Sequence, residues 1–567
     1  MRSPLPAGVL IVLAGLAAYY NSFRGVFLFD DVPAILASPS VTKGPSLRKL
    51  LSGQAPVVTV TLAANYALGG SDVWGYHAFN LAVHLLAGLT LFAIARRTLL
   101  SAGLRERFAR ASTGLALAVA MLWMLHPVHT QAVTYIIQRR ESLMGLLYLL
   151  TLYFAIRGHD SRRRAWWHAA AVAACLLGMR TKQVTVTAPL IVLLYDRTFL
   201  SGSFRRALRR SWPLYALLAA TWAVLLHGSA SWLERQGFGT ARLSQLEYAR
   251  TQFGVVLHYL RLSVWPEPLC MDYGWPVART VGQVLPPAVA IAALVGLTAW
   301  ALWRRPAWGF LGAWFLVIIA PTSSIIVITD LAFEHRMYLP LAGVVALAVM
   351  GGYLLCGALV RPRWLRPREV KALRVGLAAA VALSMGYLTV RRNRDYHSEV
   401  GFWQDNVRKR PQNARAYVSL GTSCLKPEVG DLRRAERAFT RAVELDPNLA
   451  QAYSNLATVY GGMGDHRRAL RLCNRAIELE PQYVRAYYNR GAALYELGHP
   501  DMAIRDYTKA IELAPEYPHP YHGRAVARYY TKDYAGAWAD IRAYRELGKD
   551  PDPKLLTALR QASGRSE

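Results

Sequence analysis

The sequence predicts an all-α protein made of two parts, a polytopic membrane domain followed by a helical solenoid. Apolar residues make up 53% of the 567 residues, and long apolar runs fill the first two thirds of the chain. Near the other end, Pro447, Pro481 and Pro515 recur every 34 residues, which is the period of the tetratricopeptide repeat. These two patterns divide the chain into a membrane part and a repeat part.

The apolar runs predict about eleven membrane spans, because a run of about 20 apolar residues is long enough to cross a bilayer as a helix. Residues 246–264 are also apolar, but we interpret them as an interfacial or re-entrant helix. A twelfth span there would move an Arg-rich loop to the outer side of the membrane. The eleven runs begin near residues 6, 75, 112, 141, 165, 184, 211, 283, 307, 337 and 372.

The repeats account for the rest of the chain. Residues 453–481 and 487–515 carry the small and aromatic residues of the repeat consensus, while a first repeat has an insertion near Lys426 and a last one fades into a Pro-rich end. About four repeats are expected. The predicted domains are the membrane domain over 1–395, a linker helix over 396–410 and the repeats over 411–567.

The formal net charge is +30, and most of the excess Arg lies in short loops between the apolar runs. Such loops mark the cytoplasmic side. With the N-terminus inside, an odd number of spans places the repeats outside the cytoplasm. A cleavable signal peptide over residues 1–20 is the alternative for the first run. We expect no nucleic-acid partner, because the repeats carry no basic stripe with interleaved aromatic residues.

Two further absences in the sequence bear on class and compartment. The five cysteines lack any Cys-x-x-Cys spacing, so neither a disulfide framework nor a zinc site is expected. The chain contains no Asn-x-Ser/Thr sequon, which favours a prokaryotic cytoplasmic membrane over a glycosylating lumen.

Polar residues collect at the predicted outer ends of several spans. Asp30 and Asp31 follow the first span, and an ionisable pair beside hydrocarbon is by default a site hypothesis. Cations on the outer side run against the charge rule and point to an anionic ligand at the level of the lipid headgroups. The alternative is that these cations pair with nearby acids or with lipid headgroups. The other outer residues are His126, His129, Arg139, Arg140, Glu141, Arg180, Lys182, Glu334, His335 and Arg336.

Three motifs carry a family resemblance: Phe29-Asp-Asp-Val, His126-Pro-Val-His-Thr-Gln-Ala-Val with Gln138-Arg-Arg-Glu-Ser-Leu, and Glu334-His-Arg-Met-Tyr-Leu-Pro. With the repeats behind them, they resemble the transmembrane and tetratricopeptide repeat-containing O-mannosyltransferases and their bacterial relatives. That family is similar to the GT-C glycosyltransferases. The resemblance implies a polyprenyl phosphate sugar donor, a protein acceptor, an acidic residue after the first span and repeats on the extracytoplasmic side.

The residue chemistry is compatible with such a transfer. Asp30 or Asp31 is the expected general base for the acceptor hydroxyl, while helix capping is the alternative role for Asp31. Arg139, Arg140, Lys182, His335 and Arg336 are expected to bind the donor phosphate. We assign supporting roles to His126, His129, Glu141 and Glu334, and we expect neither a bound metal nor another cofactor.

In the repeats, the amide side chains of Asn455 and Asn489 are predicted to line the groove and to bind an acceptor backbone. Exposed asparagines without a ligand are the alternative. Two other functions remain compatible with the sequence as a whole: a transferase with a lipid or glycan acceptor, and a non-catalytic membrane scaffold that assembles envelope proteins through its repeats.

Overall fold

The computed structural model describes residues 3–46, 53, 55–223, 243–324, 327–328, 330–358 and 366–564. All regular structure in these residues is helical, so the predicted all-α class is confirmed. The chain divides into two compact units, Met1–Phe402 and Trp403–Glu567. The predicted domain boundaries, at residues 395 and 411, lie on either side of this division.

The first unit contains fourteen described α-helices of seven residues or more, joined by short 3₁₀, π and α turns. Proline at the first position begins the helices at residues 56, 306, 340 and 367, a position where its missing N–H costs nothing. The helices are α1 (Leu5–Tyr19), α2 (Pro56–Gly69), α3 (Val73–Leu99), α4 (Ala102–Phe108), α5 (Ser112–Met124), α6 (Arg139–His159), α7 (Arg164–Met179), α8 (Ala188–Tyr195), α9 (Phe204–Ala220), α10 (Gln245–Val264), α11 (Val281–Arg304), α12 (Pro306–Ile319), α13 (Pro340–Ala358) and α14 (Pro367–Asn393).

The number of eleven spans is not confirmed. A helix is present at each predicted stretch, yet among the described residues only five helices are long and apolar enough to cross a membrane, or six if the bent pair at 112–133 forms one span. The helices between residues 139 and 220 are short or carry several arginines. The five are Leu5–Arg24, Val73–Leu99, Val281–Arg304, Pro340–Ala358 and Pro367–His397.

Helix α10 is the segment predicted to be interfacial, and it is not among the spanning candidates. A capping box of Ser244 and Glu247 begins it. Its polar face bonds to the loop after α12: Tyr248 Oη donates to Thr322 O at 2.7 Å and Gln252 Nε2 to Leu331 O at 3.1 Å. The helix therefore supports the loop that leads into residues 334–337.

The second unit is a series of antiparallel helix pairs whose packing is made by small buried residues. Ala457, Ala469, Cys473 and Ala493, for example, form one buried cluster between consecutive helices. The prediction of a C-terminal tetratricopeptide region is thus matched by the helix pattern. Helix α15 (Glu399–Lys409) begins in the first unit and ends in the second. The helices that follow are α16 (Ala414–Cys424), α17 (Leu432–Leu445), α18 (Ala450–Gly462), α19 (His466–Leu479), α20 (Val484–Glu496), α21 (Pro500–Leu513), α22 (His519–Tyr530), α23 (Tyr534–Glu546) and α24 (Pro553–Ser563).

Candidate active site

The loop after α1 places its two aspartates in different environments. Asp31 is fully buried, and both of its carboxylate oxygens accept backbone N–H groups: Leu28 N at 2.9 Å and Ile137 N at 2.7 Å. Its side chain makes no capping bond to the π-helical turn that follows, so the capping alternative is wrong for Asp31. The residue instead ties its own loop to residues 136–138.

Asp30 is only half-buried, and its backbone N–H donates to Tyr135 Oη at 3.0 Å. The residue before it, Phe29, has a φ of +40°, a conformation that non-glycine residues rarely adopt and that persists only where surrounding contacts hold it. The loop therefore presents the Asp30 carboxylate at the edge of the buried region and directs the Asp31 carboxylate inward.

Burial dominates the electrostatics of both acids. It raises the pKa of Asp31 to about 8, although the two backbone N–H donors favour the ionised form. Burial also raises the pKa of Asp30, and the nearby Arg140 guanidinium lowers it in part. Both shifts bring the carboxyl groups closer to the range in which an acid exchanges protons near neutral pH.

The two arginines of residues 139 and 140 differ in the same way as the aspartates. Arg139 is fully buried: its Nε donates to Asn80 Oδ1 at 2.9 Å, and its guanidinium lies 4.5 Å from the centre of the Phe79 ring. Arg140 is half-buried, and its Nε has no hydrogen-bond partner in the described part of the chain. Arg139 therefore packs α6 against α3, whereas Arg140 remains available to a ligand.

Lys182, Glu141 and His335 form a connected group. Lys182 Nζ contacts the Glu141 carboxylate, and His335 Nε2 lies 3.5 Å from the same carboxylate. Glu141 is 2% exposed and Lys182 19% exposed, so Lys182 is the member that reaches solvent. Burial, together with the nearby Lys182, Arg336 and Arg140 cations, lowers the pKa of His335 well below its usual value, so its ring is neutral.

Hydrogen bonds to residues of two other segments hold Glu334–Met337 in place. His335 donates from its backbone N at 2.9 Å and from Nδ1 at 3.1 Å to the side-chain oxygen of Gln131. Glu334 Oε1 accepts from the Cys270 backbone N at 2.5 Å and from Tyr273 Oη at 2.9 Å. These contacts hold the loop of residues 265–279 beside the site.

Arg336 is buried, and its guanidinium is directed at backbone carbonyls. Its Nη2 donates to Asp330 O at 2.7 Å, and its Nη1 lies 3.2 Å from Thr322 O and from Leu331 O. A planar five-donor fork suits this arrangement. Arg336 thus holds Thr322, Asp330 and Leu331 together. These bonds occupy most of the N–H donors of the Arg336 guanidinium, which was predicted to bind the donor phosphate.

His126 and His129 are buried and do not reach solvent. His126 Nε2 donates to Ser263 O at 3.3 Å, which links the motif to the end of α10. The His129 ring packs between Trp123 and Tyr338, with ring centres 4.7 and 4.8 Å away. No group of three or more His, Cys, Asp or Glu side chains in the described ranges is placed to hold a metal ion.

The structure therefore brings together residues 28–31, 131–141, Lys182 and 334–336. Sequence reasoning missed Tyr135 and Gln131, which connect these segments. Both lie inside or next to the His126-to-Leu143 motif, so their position was a signal, but only contacts reveal their roles. Asn80 was also missed, and its place within the apolar run of α3 is the only indication in the sequence.

The groove asparagines contact the preceding repeat. Asn489 Nδ2 lies 3.0 Å from Ser454 O, from Ser454 Oγ and from Thr458 Oγ1, and Asn455 Nδ2 lies 3.5 Å from Thr422 Oγ1. Their amide N–H groups therefore join neighbouring repeats. Binding of an acceptor backbone by these side chains stays a prediction.

Comparison with known proteins supports the resemblance. The family model "Tetratricopeptide repeat" matches residues 450–483 and 484–517. Protein O-mannosyl-transferase TMTC1 of Homo sapiens is 25% identical over 520 residues, which cover 80% of this chain and 57% of that protein. Protein O-mannosyl-transferase F38B6.6 of Caenorhabditis elegans is 23% identical, covering 78% of this chain and 63% of its own length. The chain thus spans less than two thirds of these relatives.

Solved structures are similar only to a limited extent. A crystal structure of MamA has a TM-score of 0.24 and 23% identity, covering 26% of this chain and 86% of that chain. The structure titled "YrrB: a TPR protein with an unusual peptide-binding site" has a TM-score of 0.24 and 20% identity, covering 32% and 89%. The chain thus combines tetratricopeptide repeats with helices long and apolar enough to cross a membrane, and its sequence is similar to protein O-mannosyl-transferases of the TMTC family.

Proposed function

We propose that this protein is a GT-C-type membrane glycosyltransferase that transfers mannose or a similar hexose from a polyprenyl phosphate to Ser or Thr hydroxyls of extracytoplasmic proteins. The observation that carries the proposal is the placement of Asp30. Its carboxylate is half-buried at the end of a loop that Asp31 and Tyr135 fix in place, with Arg140 nearby. A scaffold protein needs no such arrangement.

In the proposed reaction, the acceptor hydroxyl attacks the anomeric carbon. The new carbon–oxygen bond forms as the bond to the lipid phosphate breaks, and the phosphate leaves with the bonding electron pair. The transition state has oxocarbenium character, as in glycoside hydrolysis. Asp30 takes the hydroxyl proton, an effect worth about 10²- to 10⁴-fold in rate. Asp31 holds the loop and takes no part in proton transfer.

Arg140 and Lys182 are the best-placed cations for the leaving phosphate, because both remain partly exposed. Fixed cations stabilise negative charge that develops in the transition state. Arg139 and Arg336 are buried and donate hydrogen bonds to acceptors of the protein itself, so we assign them a structural role in the site. His335 is held by the Gln131 side chain and packs beside the Glu141 carboxylate.

The repeats bind the protein acceptor, and the membrane body binds the lipid of the donor. We place the protein in a prokaryotic cytoplasmic membrane with its N-terminus inside and the repeats outside, because the Arg-rich loops then lie in the cytoplasm.

The test is hexose transfer by the purified full-length protein, measured by mass spectrometry of an extracytoplasmic acceptor protein supplied with polyprenyl phosphate mannose or glucose. Wild type is expected to add a hexose to Ser or Thr, and Asp30→Asn to lose turnover by about 10²-fold or more. A matched control is Asp160→Asn, at a carboxylate that is 83% exposed. Normal turnover by Asp30→Asn would reject the proposal.

The phosphate assignment has its own test. Arg140→Gln is expected to lower turnover about tenfold or more with little change in stability, because its guanidinium makes no hydrogen bond through Nε within the described residues. Lys182→Met leaves Glu141 buried without its partner and is also expected to destabilise the fold. If Arg140→Gln behaves as wild type at low and at saturating donor, Arg140 does not bind the phosphate.

A further inference from the structure

The loop that carries Asp30 is held at its beginning as well as at Asp31. The backbone N of Val26 donates to Tyr396 O at 3.1 Å, and His397 Nε2 donates to Asn21 O at 2.8 Å. Tyr396 and His397 belong to the 3₁₀ turn Arg394–His397 at the end of α14. The turn at the end of α14 therefore contributes directly to the support of a loop that lies far earlier in the chain, since His397 and Asn21 are 376 residues apart.

One fully buried side chain at this end of α14 contacts both supports of the loop. Asn393 Nδ2 donates to Ala18 O at 3.1 Å and to Asn21 Oδ1 at 3.2 Å, and its Oδ1 accepts from Thr134 Oγ1 at 2.7 Å. The Asn amide supplies two N–H donors and a separate acceptor oxygen, which these three contacts require. Asn393 thus joins the end of α1 to the segment that contains Tyr135.

The two segments that Asn393 joins are also the segments that hold the loop. Asn21 lies at the loop's beginning, and Thr134 precedes Tyr135, whose hydroxyl accepts the Asp30 backbone N–H. Because Phe29 has a positive φ, the loop depends on such contacts to keep its conformation. A shift of residues 134–137 relative to α1 would therefore move Asp30.

We propose that Asn393 is a positioning residue for Asp30, acting through Asn21 and Thr134. The role of Asp30 as base rests on the proposed function, but the placement of its loop by Asn393 does not. Asn393 itself is buried and touches no reacting atom. Its effect is to hold the end of α1 and residues 134–137 in a fixed relative position.

The test uses the full-length protein and two readouts, amide hydrogen exchange at Val26 and Asp31 and the kinetics of hexose transfer. Thr134→Val removes only the hydroxyl that donates to Asn393, and we expect exchange at both amides to rise about fivefold, the ratio that one lost hydrogen bond gives. Turnover should fall without a change in KM for the donor. Thr134→Ser restores the hydroxyl and should restore both readouts.

A matched control is Thr389, which lies on α14, the helix that ends at Asn393. The Thr389 hydroxyl is buried and donates to Leu125 O at 2.8 Å, away from the loop. Thr389→Val is expected to cost similar thermal stability and to leave exchange at Val26 and Asp31 at the wild-type rate. Equal exchange in Thr134→Val and Thr389→Val would show a general loss of stability and would overturn the inference.

A second variant makes the inference testable if the first effect is small. Asn393→Asp keeps the shape but replaces both amide donors with a carboxylate oxygen that faces Ala18 O and Asn21 Oδ1, so exchange should rise about tenfold or more. Wild-type exchange in this variant would also overturn the inference. Active Asp30→Asn combined with raised exchange in Thr134→Val would reject the proposed function and support the positioning role.

Discussion

Replacing each aspartate of the Asp30-Asp31 pair by asparagine should produce two different defects. Asp30→Asn keeps the shape of a half-buried side chain and removes a base, so turnover should fall by about 10²-fold or more with nearly unchanged stability. In Asp31→Asn the amide has one acceptor oxygen, while two backbone N–H groups point at the side chain. In either orientation the NH₂ group faces one of them. Leaving that N–H unpaired should cost about 1–3 kcal/mol of unfolding free energy.

The assay combines thermal unfolding of the detergent-solubilised protein with hexose transfer at saturating donor. Asp31→Asn should unfold at lower temperature and lose turnover only to the extent that its loop is displaced. Amide exchange at Leu28 and Ile137 should identify which bond is lost. The reasoning is refuted if Asp31→Asn is as stable as wild type, or if Asp31→Asn abolishes turnover while Asp30→Asn does not.

Three further predictions concern the pH dependence of stability, the packing of the repeats and the side of the membrane on which the repeats lie. Because the pKa of Asp31 rises on folding to about 8, the stabilising contribution of this carboxyl group is complete below about pH 4 and is lost as the pH rises through 8. The difference in unfolding free energy between wild type and Asp31→Asn should therefore shrink between about pH 4 and about pH 8. A constant difference would contradict this prediction. In the repeats, Arg490→Leu should destabilise the unit by about 1–3 kcal/mol, because it leaves the Asp506 carboxylate, bonded at 2.7 and 2.8 Å, without its partner. The double change with Asp506→Leu reproduces the Leu-Leu pair found 34 residues earlier and should recover most of that loss in chemical denaturation; equal destabilisation of both would refute it. A cysteine inserted after Ser563 should react with an impermeant maleimide in intact cells or spheroplasts. The wild type, whose five cysteines are buried, is the control. If the inserted cysteine does not react, the proposed topology is wrong.

The extent to which the sequence predicted the fold differs between the two units. The 34-residue period located the repeats because each repeat forms its contacts with its neighbours, so local pattern and structure coincide. The membrane unit was predicted less completely. Hydropathy located a helix at each apolar run, but the count of eleven spans is not confirmed, because several of these helices, such as α8 and α9, are short or carry several arginines.

In the site, the sequence identified the residues that meet but not what each one does. Arg139 and Arg140 are identical neighbours, yet Arg139 bonds to Asn80 on α3 and Arg140 remains half-buried. The cation Arg336 looked like a phosphate ligand, and its donors face backbone carbonyls of a loop. No local pattern distinguishes these cases, because the partners lie on other helices.

By itself, then, the sequence determined the all-α class, the position of the repeats and the set of polar residues beside the apolar runs, since each depends on composition and on short-range periodicity. The tertiary structure decided which of two adjacent aspartates is accessible, which cations remain available, and that Asn393 supports a loop near the N-terminus. Those properties depend on burial and on hydrogen bonds between residues far apart in the chain. Only the packed helices bring such residues within bonding distance.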